Sequence, residues 1–231
     1  MTSSHSQHCM ACGSALLYSD TPIITTCHLC GGSGCSLIRC PQGHYVCDSC
    51  HGQSVLALLP LAAERVRGEA PEDILEELFG VPKLPMHGPE HHSVAALALL
   101  LAARRQGRPL NAVAVAETIR RAMIIPGGAC GYLGSCGAGI ALGVAVSMLT
   151  GATPLKGGER ALANRASAAG LVAAGDGGAR CCKRALRNAV RAGREFLQQE
   201  LGIELPAPAA EIHCRDKARN RECLGSGCPY L

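Results

Sequence analysis

Apolar and polar residues follow different patterns on the two sides of residue 52. Before it, apolar residues are scattered and only Asp20, Arg39 and Asp48 are charged. After it, apolar residues recur with helical spacing between breaks made by glycine and proline. The pattern predicts a mostly α protein with three parts: a cysteine-rich N-terminal module at 1–52, an all-α domain at 53–205, and a cysteine-rich tail at 206–231 that packs back on the domain.

Several segments of the domain predict helices. SVLALLPLAAERVRG contains Pro60, which we expect to kink or split its helix. Pro71 suits the first turn of the next helix, where its missing N–H is not needed. Further helices are predicted at 93–107, 109–126 and 157–178, in the apolar run after Cys136, and at 177–202. The alanine and glycine residues of 157–178 predict close packing against a neighbouring helix.

The stretch from Pro126 to Thr150 is central to this pattern. Cys130 and Cys136 lie in a glycine-rich loop, and an apolar run that predicts a buried helix follows directly. Glycine lets the backbone approach a bound group closely, and the amides at a helix start favour an anion or a thiolate. We therefore interpret this stretch as the wall of a buried site.

Composition narrows the class of protein. Hydrophobic residues make up 48% of the chain and aromatic residues only 3%, so the core must be aliphatic, as in a helical bundle. There are 15 cysteines, several in CxxC pairs beside histidines, and no apolar signal segment is recognisable. This combination favours metal ligation in the reducing cytoplasm over a secreted disulfide scaffold. No apolar run predicts a membrane span, and a net charge of +4 does not by itself indicate nucleic-acid binding.

The N-terminal module has too few apolar residues to build a core, so it needs another source of stability. It is rich in residues that bind zinc, and thiolate-bound zinc stabilises small modules of this kind. The candidate metal ligands are Cys9, Cys12, Cys27, Cys30, Cys40, His44, Cys47 and Cys50, while Cys35, His28 and His51 are spare.

The spacing from Cys27 to Cys50 resembles the first six ligand positions of a RING-type, cross-braced zinc module. It departs from that pattern because no seventh and eighth ligands follow, although a CxxC pair precedes it. The resemblance implies a permuted cross-brace with two structural zinc ions, and it gives little reason to infer ubiquitin-ligase activity. One zinc would be held by Cys27, Cys30, Cys47 and Cys50, and the other by Cys9, Cys12, Cys40 and His44.

A histidine cluster precedes the most apolar helix of the domain. His87, Glu90, His91 and His92 follow a turn rich in proline and glycine. These histidines can ligate a metal or act as general acid and base, with His87 and His91 the better candidates, or they can simply cap the helix. We expect His87 or His91 to lie near the loop of Cys130 and Cys136, because both segments sit at the mouths of apolar helices.

Vicinal cysteines open the last long helix. Cys181 and Cys182 lie beside cations and the positive helix end, so a lowered thiol pKa is expected; packed core thiols and a strained disulfide are the alternatives. Cys182 falls on the predicted inward side, with Leu186, Ala189, Val190, Gly193 and Phe196. A basic stripe on the same helix is typical of a solvated face, and the lack of interleaved aromatics argues against nucleic-acid binding. The stripe consists of Arg180, Arg184, Arg187, Arg191 and Arg194.

Seven cysteines lie outside the module, and none is in a CxxC pair. The tail contributes three of them and ends in a Cys-Pro pair, which also occurs in iron–sulfur ligand runs. Scattered thiols that converge on one buried point are typical of an iron–sulfur cluster or a thiol redox site, and we expect Cys130, Cys136, Cys181 and Cys182 to form it as catalytic and cofactor-binding residues. A cluster held by three cysteines would leave one iron open to substrate. The tail cysteines Cys214, Cys223 and Cys228 are further cofactor ligands.

The runs MHGPEHH, CGxxGSCGAGIALG and GGARCCKR and the tail motif N-x-E-C-x4-C-P-Y together resemble the domain of unknown function 5714, over about 27–231. The loop is also loosely similar to redox-active proteins with a C-GCAxxG-C-C pattern, but it has Cys-Gly-Ala-Gly after Ser135. The first resemblance implies radical-SAM or methyltransferase partners in anaerobes. Two hypotheses follow: an iron–sulfur or thiol-active redox or sulfur-handling protein, and a zinc-dependent adaptor without catalysis.

Overall fold

A computed structural model describes residues 8–175 and 177–231, and the chain is mostly helical. It divides into two compact units: one runs to Arg65 and includes Gly80–Leu84, and the other contains Val66–Phe79 and Pro85–Leu231. The predicted fold class is confirmed: a cysteine-rich N-terminal region, a helical domain and a tail with cysteines. Residues 1–7 of the predicted module and Asp176, which was assigned to a helix, lie outside the described residues.

The first unit extends beyond the predicted module end at residue 52 because long side chains tie later segments to it. Arg65 Nε donates to the carbonyl oxygen of His28 at 3.1 Å. Lys83 Nζ donates to the carbonyl oxygens of His51 at 2.6 Å and Gln53 at 3.1 Å. The boundary is therefore set by contacts distant in sequence, which composition does not show.

The first unit is built on an antiparallel hairpin. Strand β1 (Leu17–Thr26) pairs with β2 (Ser33–Arg39), and the register shifts between Tyr18 and Ile23. Two helices follow, α1 (Asp48–His51) and α2 (Val55–Ala63). Pro60 lies inside α2 without splitting it, and the helix continues to Ala63.

The hairpin buries little apolar surface. Ile24 is 84% exposed, and Tyr18 and Leu37 are also exposed. Four of the five buried apolar residues of this region before α2 are cysteines: Cys9, Cys27, Cys40 and Cys50, with Leu29 the fifth. The buried side chains of the hairpin region are therefore mostly cysteines.

The second unit is a helical bundle centred on α4. Apolar α4 is buried by the helices around it, and α7 packs most extensively against α8. The tail after α9 has only two 3-10 turns, Lys217–Arg219 and Gly225–Gly227. The helices are α3 (Pro71–Leu78), α4 (Glu90–Arg105), α5 (Ala112–Ala122), α6 (Ala129–Tyr132), α7 (Gly137–Thr150), α8 (Gly157–Ala174) and α9 (Cys182–Leu201).

Small residues let α7 and α8 come unusually close, as the sequence predicts. A Cβ placed on Gly139 would lie 2.5 Å from the backbone nitrogen of Leu171. A Cβ on Gly170 would lie 2.6 Å from the carbonyl oxygen of Gly139. No side chain fits between the two backbones at this crossing.

The basic stripe of α9 is only partly a solvated face, which corrects the expectation from its spacing: Arg180 and Arg191 are exposed, but two of its members are buried. Arg184 and Arg187 are each only 3% exposed, and Lys183 is 1% exposed. Arg187 binds the carboxylate of Glu76 in α3 through two hydrogen bonds of 2.6 and 2.9 Å. Glu76 is far away in sequence, so the pattern of α9 alone does not reveal this pairing. Phe196, placed on the inward side by the sequence, is only half-buried.

Among the described residues, none of the helices has both the length and the apolar character needed to cross a membrane.

Candidate metal centres and a cysteine–histidine site

Two groups of ligand atoms in the first unit are arranged to hold metal ions. Within each group, the sulfur and nitrogen atoms lie within 4.8 Å of one another. The grouping is the one that the permuted cross-brace predicts. The groups are Cys9, Cys12, Cys40 and His44, and Cys27, Cys30, Cys47 and Cys50.

The distances suit a single ion in each group. Cys12 and Cys40 sulfurs lie 3.4 Å apart, and those of Cys30 and Cys47 lie 3.7 Å apart. The sulfur of Cys40 is 3.6 Å from Nδ1 of His44. Four thiolates around a tetrahedral zinc, with Zn–S bonds of about 2.3 Å, would lie roughly 3.8 Å apart.

Glycine turns hold these cysteines in place. Gly13 and Gly31 follow the second cysteine of their CxxC pairs and have φ of +75° and +76°. The N–H of Gly31 donates to the carbonyl oxygen of Cys27 at 2.9 Å, which closes a tight turn around the ligand pair. Positive φ strains side-chain-bearing residues, so the turn requires glycine.

The thiols of each group have unequal affinities for protons. Burial raises the pKa of Cys9 to about 11 and that of Cys50 to about 12. A hydrogen bond with Ser49 lowers the pKa of Cys47 to about 6. Burial opposes the shift at Cys12, but bonds from Ser14 outweigh it and lower that pKa to about 6. Thiols crowded this closely repel as anions, and a cation would stabilise all of them as thiolates.

In the second unit, the vicinal cysteines separate into two neighbourhoods. Cys181 is the N-cap of α9, and its sulfur accepts the N–H of Arg184 at 3.5 Å. Its thiol interacts electrostatically with Cys214 and Cys228 of the tail. Cys182 is the first residue of α9, and the thiols of Cys136 and Cys130 act on it more strongly than that of Cys181 does. The predicted four-cysteine set thus falls into a loop group, Cys130, Cys136 and Cys182, and a tail-facing Cys181.

Burial raises the pKa of both Cys181 and Cys182, and neighbouring thiols add to the effect. The sequence predicts the opposite shift from the helix start and the nearby cations. Those stabilising effects are present, since an Arg184 amide bonds Cys181 and a Gly88 amide bonds Cys182, but they are outweighed. As free thiols, both are therefore protonated at neutral pH.

One loop cysteine lies in the short helix α6, and the other lies at the start of α7. Gly128, with φ of +86°, is the N-cap of α6, and Cys130 lies exposed within that helix. Cys136 is the N-cap of α7 and is half-buried. The loop therefore presents one thiol to solvent and one toward the bundle.

The histidine run lies against this loop and against α9. The ring of His92 touches the backbone of Gly137, directly after Cys136. Gly88, next to His87, bonds the sulfur of Cys182 through its backbone. The structure thus brings the histidine segment and the loop group together, and the direct contact with the loop is made by His92.

His91 is fully buried, and its tautomer is fixed. Its Nδ1 lies 3.2 Å from the carbonyl oxygen of Gly88 and must carry the proton, because a carbonyl only accepts. Burial, with further repulsion from Lys183, lowers the pKa of His91 to about 3. The ring is therefore neutral at physiological pH, and its Nε2 has a lone pair that accepts no hydrogen bond among the described residues.

The other two histidines show the same arrangement. His92 bonds the backbone carbonyls of Ala122 and Ile125, and its buried Nδ1 has no partner among the described residues. His87 Nε2 lies 3.6 Å from Glu222, and its buried Nδ1 likewise has no partner there. A histidine that ligates a metal typically donates the N–H of one ring nitrogen to a carbonyl or carboxylate oxygen, which leaves the other nitrogen able to bind the metal.

Unpaired buried polar atoms are concentrated in this segment. The described residues contain five such side-chain atoms, and four of them lie within 87–92. Buried polar atoms are nearly always paired, so such a concentration indicates bound water, an ion or another ligand. The four atoms are His87 Nδ1, Glu90 Oε2, His91 Nε2 and His92 Nδ1.

Sequence reasoning placed Lys183 as a cation that offsets the charge of the neighbouring thiolates, but it missed the buried ion pair between Lys183 and Asp216. Lys183 Nζ binds Asp216 Oδ1 at 2.8 Å and lies 4.8 Å from the centre of the Phe79 ring. Burial would raise the pKa of Asp216, but the bond from Lys183 outweighs it and lowers the pKa. The lysine follows the vicinal cysteines directly, but only the fold reveals that it is buried.

The fold and these ligand groups define a cysteine-rich, mostly helical protein with two groups of residues able to hold metal ions. The chain belongs to the family of unknown function DUF5714, which matches residues 62–231. The match covers all of the second unit and starts later than the resemblance at residue 27 implied, so the metal-ligand groups of the module lie outside it. Comparison with curated proteins and with solved structures found no match.

Proposed function

We propose that this protein is an iron–sulfur protein of redox or sulfur metabolism, stabilised by two structural zinc ions in its first unit. The cluster would be held by the loop group, Cys130, Cys136 and Cys182. The observation that carries the proposal is that Cys182 lies within electrostatic range of two further thiols and bonds Gly88 of a histidine segment rich in unpaired buried atoms.

Zinc is the metal that best fits the first unit. One group offers four sulfurs and the other three sulfurs and one imidazole, which are common ligand sets for structural zinc. Four protein ligands leave no open coordination position, so these ions would stabilise the fold rather than react with substrate.

A cluster fits the loop group better than free thiols do. Redox-active thiols normally have lowered pKa values, whereas burial raises the pKa of Cys182. Iron would stabilise the thiolates against their mutual repulsion. Three cysteines are one ligand short of the usual four, so one iron would be held by a histidine of the 87–92 segment or left open to a substrate.

The alternative function is a zinc-dependent adaptor, and exposed apolar side chains favour it. Tyr132 is 90% exposed and Leu133 is 69% exposed, and both lie beside Cys130. The same surface also suits the radical-SAM or methyltransferase partner that the family resemblance implies, because such a partner would then dock next to the loop group. A cytoplasmic location agrees with this assignment, since thiolate ligands require a reducing compartment.

Anaerobic purification with metal and sulfide analysis tests the proposal. We expect zinc, iron and acid-labile sulfide, with iron lost from C136S and C182S. The exposed Cys35, which belongs to neither zinc group, provides the control variant C35S. A colourless protein that contains zinc alone would overturn the iron–sulfur assignment and support the adaptor.

A further inference from the structure

The tail after Leu205 is ordered without an apolar core. Among its described residues, only Asp216 and Asn220 are buried, and both are polar. Its regular structure is limited to two 3-10 turns. A segment of this size and polarity needs a disulfide, a metal or partner contacts to hold one conformation. The tail shares this property with the first unit.

Two tail cysteines have their sulfurs bonded by backbone amides. The N–H of Asp216 donates to Cys214 Sγ at 3.4 Å, and the N–H of Gly225 donates to Cys223 Sγ at 3.4 Å. In both cases the donor lies two residues after the cysteine. Such turns fix the position of the sulfur relative to the backbone.

The same turn occurs at two cysteines of the zinc groups. The N–H of Gly32 donates to Cys30 Sγ at 3.4 Å, and the N–H of Gln42 donates to Cys40 Sγ at 3.3 Å. The tail therefore repeats, at two cysteines, the local geometry that this chain uses at its metal-ligand groups.

Backbone and side-chain contacts bring Cys214, Cys228 and Cys181 near one another. The N–H of Cys214 donates to the carbonyl oxygen of Tyr230 at 2.6 Å. Because Cys228 is only two residues before Tyr230, this bond brings the backbones of Cys214 and Cys228 close together. Tyr230 is anchored to α9 by a 2.6 Å bond from its hydroxyl to Asn188. Cys181, at the start of the same helix, lies within electrostatic reach of Cys214 and Cys228.

Positive charge surrounds these thiols. The guanidinium of Arg187 bonds Cys214, and Arg184 interacts with Cys181. The buried Lys183–Asp216 pair fixes the tail to α9 two residues after Cys214. Cations and hydrogen bonds to sulfur are among the features that stabilise and tune iron–sulfur clusters.

We propose that Cys181, Cys214 and Cys228 hold a second iron–sulfur cluster, separate from the loop group, and that Cys223, whose turn matches that of Cys214, is its fourth ligand. The described residues of the second unit contain no group of ligand atoms as compact as the two zinc groups. Cluster thiolates bind different irons and lie farther apart than the ligands of one ion, so wider spacing favours a cluster over zinc. Cys181 and Cys182 would then serve neighbouring clusters. This assignment stands without the loop cluster because its ligands and its evidence are separate.

The test compares C214S, C223S and C136S with the control C35S, each as the full chain purified without oxygen. Iron and sulfide per chain and the electron paramagnetic resonance spectrum are measured. We expect C214S and C223S to lose about half of the iron and one spectral component, and C136S to lose the other component. If only the loop cluster exists, the tail variants keep all their iron and the inference fails. If only the tail cluster exists, C136S keeps its iron and the proposed function fails.

Alkylation of the unmodified protein covers the case in which the tail variants do not fold. In the anaerobic protein we expect the tail cysteines to resist iodoacetamide while Cys35 reacts, and to react once iron is chelated. Tail cysteines that react as fast as Cys35 before chelation, or a tail protected by a third zinc, would overturn the inference.

Discussion

The two units of this chain are stabilised in opposite ways. The interior of the hairpin region is largely cysteine, and Ile24 on β1 is left exposed. In the second unit, α4 is buried from Ser93 to Ala103 by the helices around it. The first unit thus depends on ligands that repel one another without a cation, whereas the second depends on apolar packing.

This difference decides what each unit can do with a metal. With metal ions bound as proposed, metal binding and folding would be the same event in the first unit, and its ions would have no open position for chemistry. The helical bundle supplies its own stability and can therefore hold thiols and histidines at positions that packing alone would not favour. We therefore expect any reaction at a metal to take place in the second unit, whose stability does not depend on the metal.

Removing zinc should give the largest effect. A strong chelator should unfold the first unit, because thiolate-bound zinc contributes about 10–16 kcal/mol of apparent folding free energy in comparable modules. Hydrogen exchange of the full chain would show rapid exchange over 8–65 and retained protection in α4. Retained protection of the hairpin amides after complete zinc removal would contradict the comparison.

One alanine substitution in each unit tests whether apolar packing stabilises the second unit but not the hairpin of the first. Leu97→Ala removes a fully buried side chain of α4 and should lower the free energy of unfolding by about 2–5 kcal/mol. Ile24→Ala removes an exposed side chain of β1 and should change it by less than about 0.5 kcal/mol. Urea unfolding of the zinc-loaded protein measures both. A similar cost for the two variants would mean that the hairpin buries Ile24 in a contact absent from this structure.

Sequence predicted the elements well because their signals are local. Ligand spacing gave both groups of the first unit, with Cys40 and His44 in the same group and Cys47 and Cys50 in the other. Apolar periodicity gave the helices, because helical packing of an aliphatic chain leaves a repeat that can be seen directly.

The candidate site was harder to predict because its interactions join distant segments. The burial of Arg187 depends on Glu76, 111 positions away in the chain. The division between Cys181 and Cys182 depends on which residue caps α9 and where the tail returns, neither of which has a sequence period. Spacing therefore identified the cysteines of the second unit but not their neighbourhoods.

Close helix packing provides the next prediction. Gly170→Ala puts a Cβ 2.6 Å from the carbonyl oxygen of Gly139 and should cost about 1–3 kcal/mol, because backbone cannot move aside as a side chain can. Gly158→Ala, in the exposed first turn of α8, meets no atom within 4 Å and should stabilise by up to about 1 kcal/mol. Thermal unfolding of the second unit compares the pair. Equal effects would show that α7 and α8 are not packed this closely.

Acidification should affect the two units differently. The smallest effect that we predict is the loss of stability at Glu117 in the second unit. Protons compete with zinc for the thiolates, so the first unit should lose its metal steeply on acidification.

On α5, hydrogen bonds from Arg120 and Arg121 lower the pKa of Glu117 from 4.5 to about 2. Below about pH 4.5 the unfolded chain binds more protons at this carboxyl than the folded one does. The stabilisation from Glu117 is therefore present above pH 4.5 and lost as the pH falls toward 2.

Because this ion-pair cluster is at the surface, the loss should be small and should shrink in high salt. Glu117→Gln should reduce the pH dependence of unfolding of the second unit between pH 5 and 3 slightly, while Glu195→Gln, on the exposed side of α9, provides the matched control. Urea titrations at both pH values, with and without 1 M salt, measure the change. A pH dependence that is unaffected by Glu117→Gln would show that Arg120 and Arg121 do not hold this carboxylate in solution, and the acid response of the second unit would then have to come from its buried pairs.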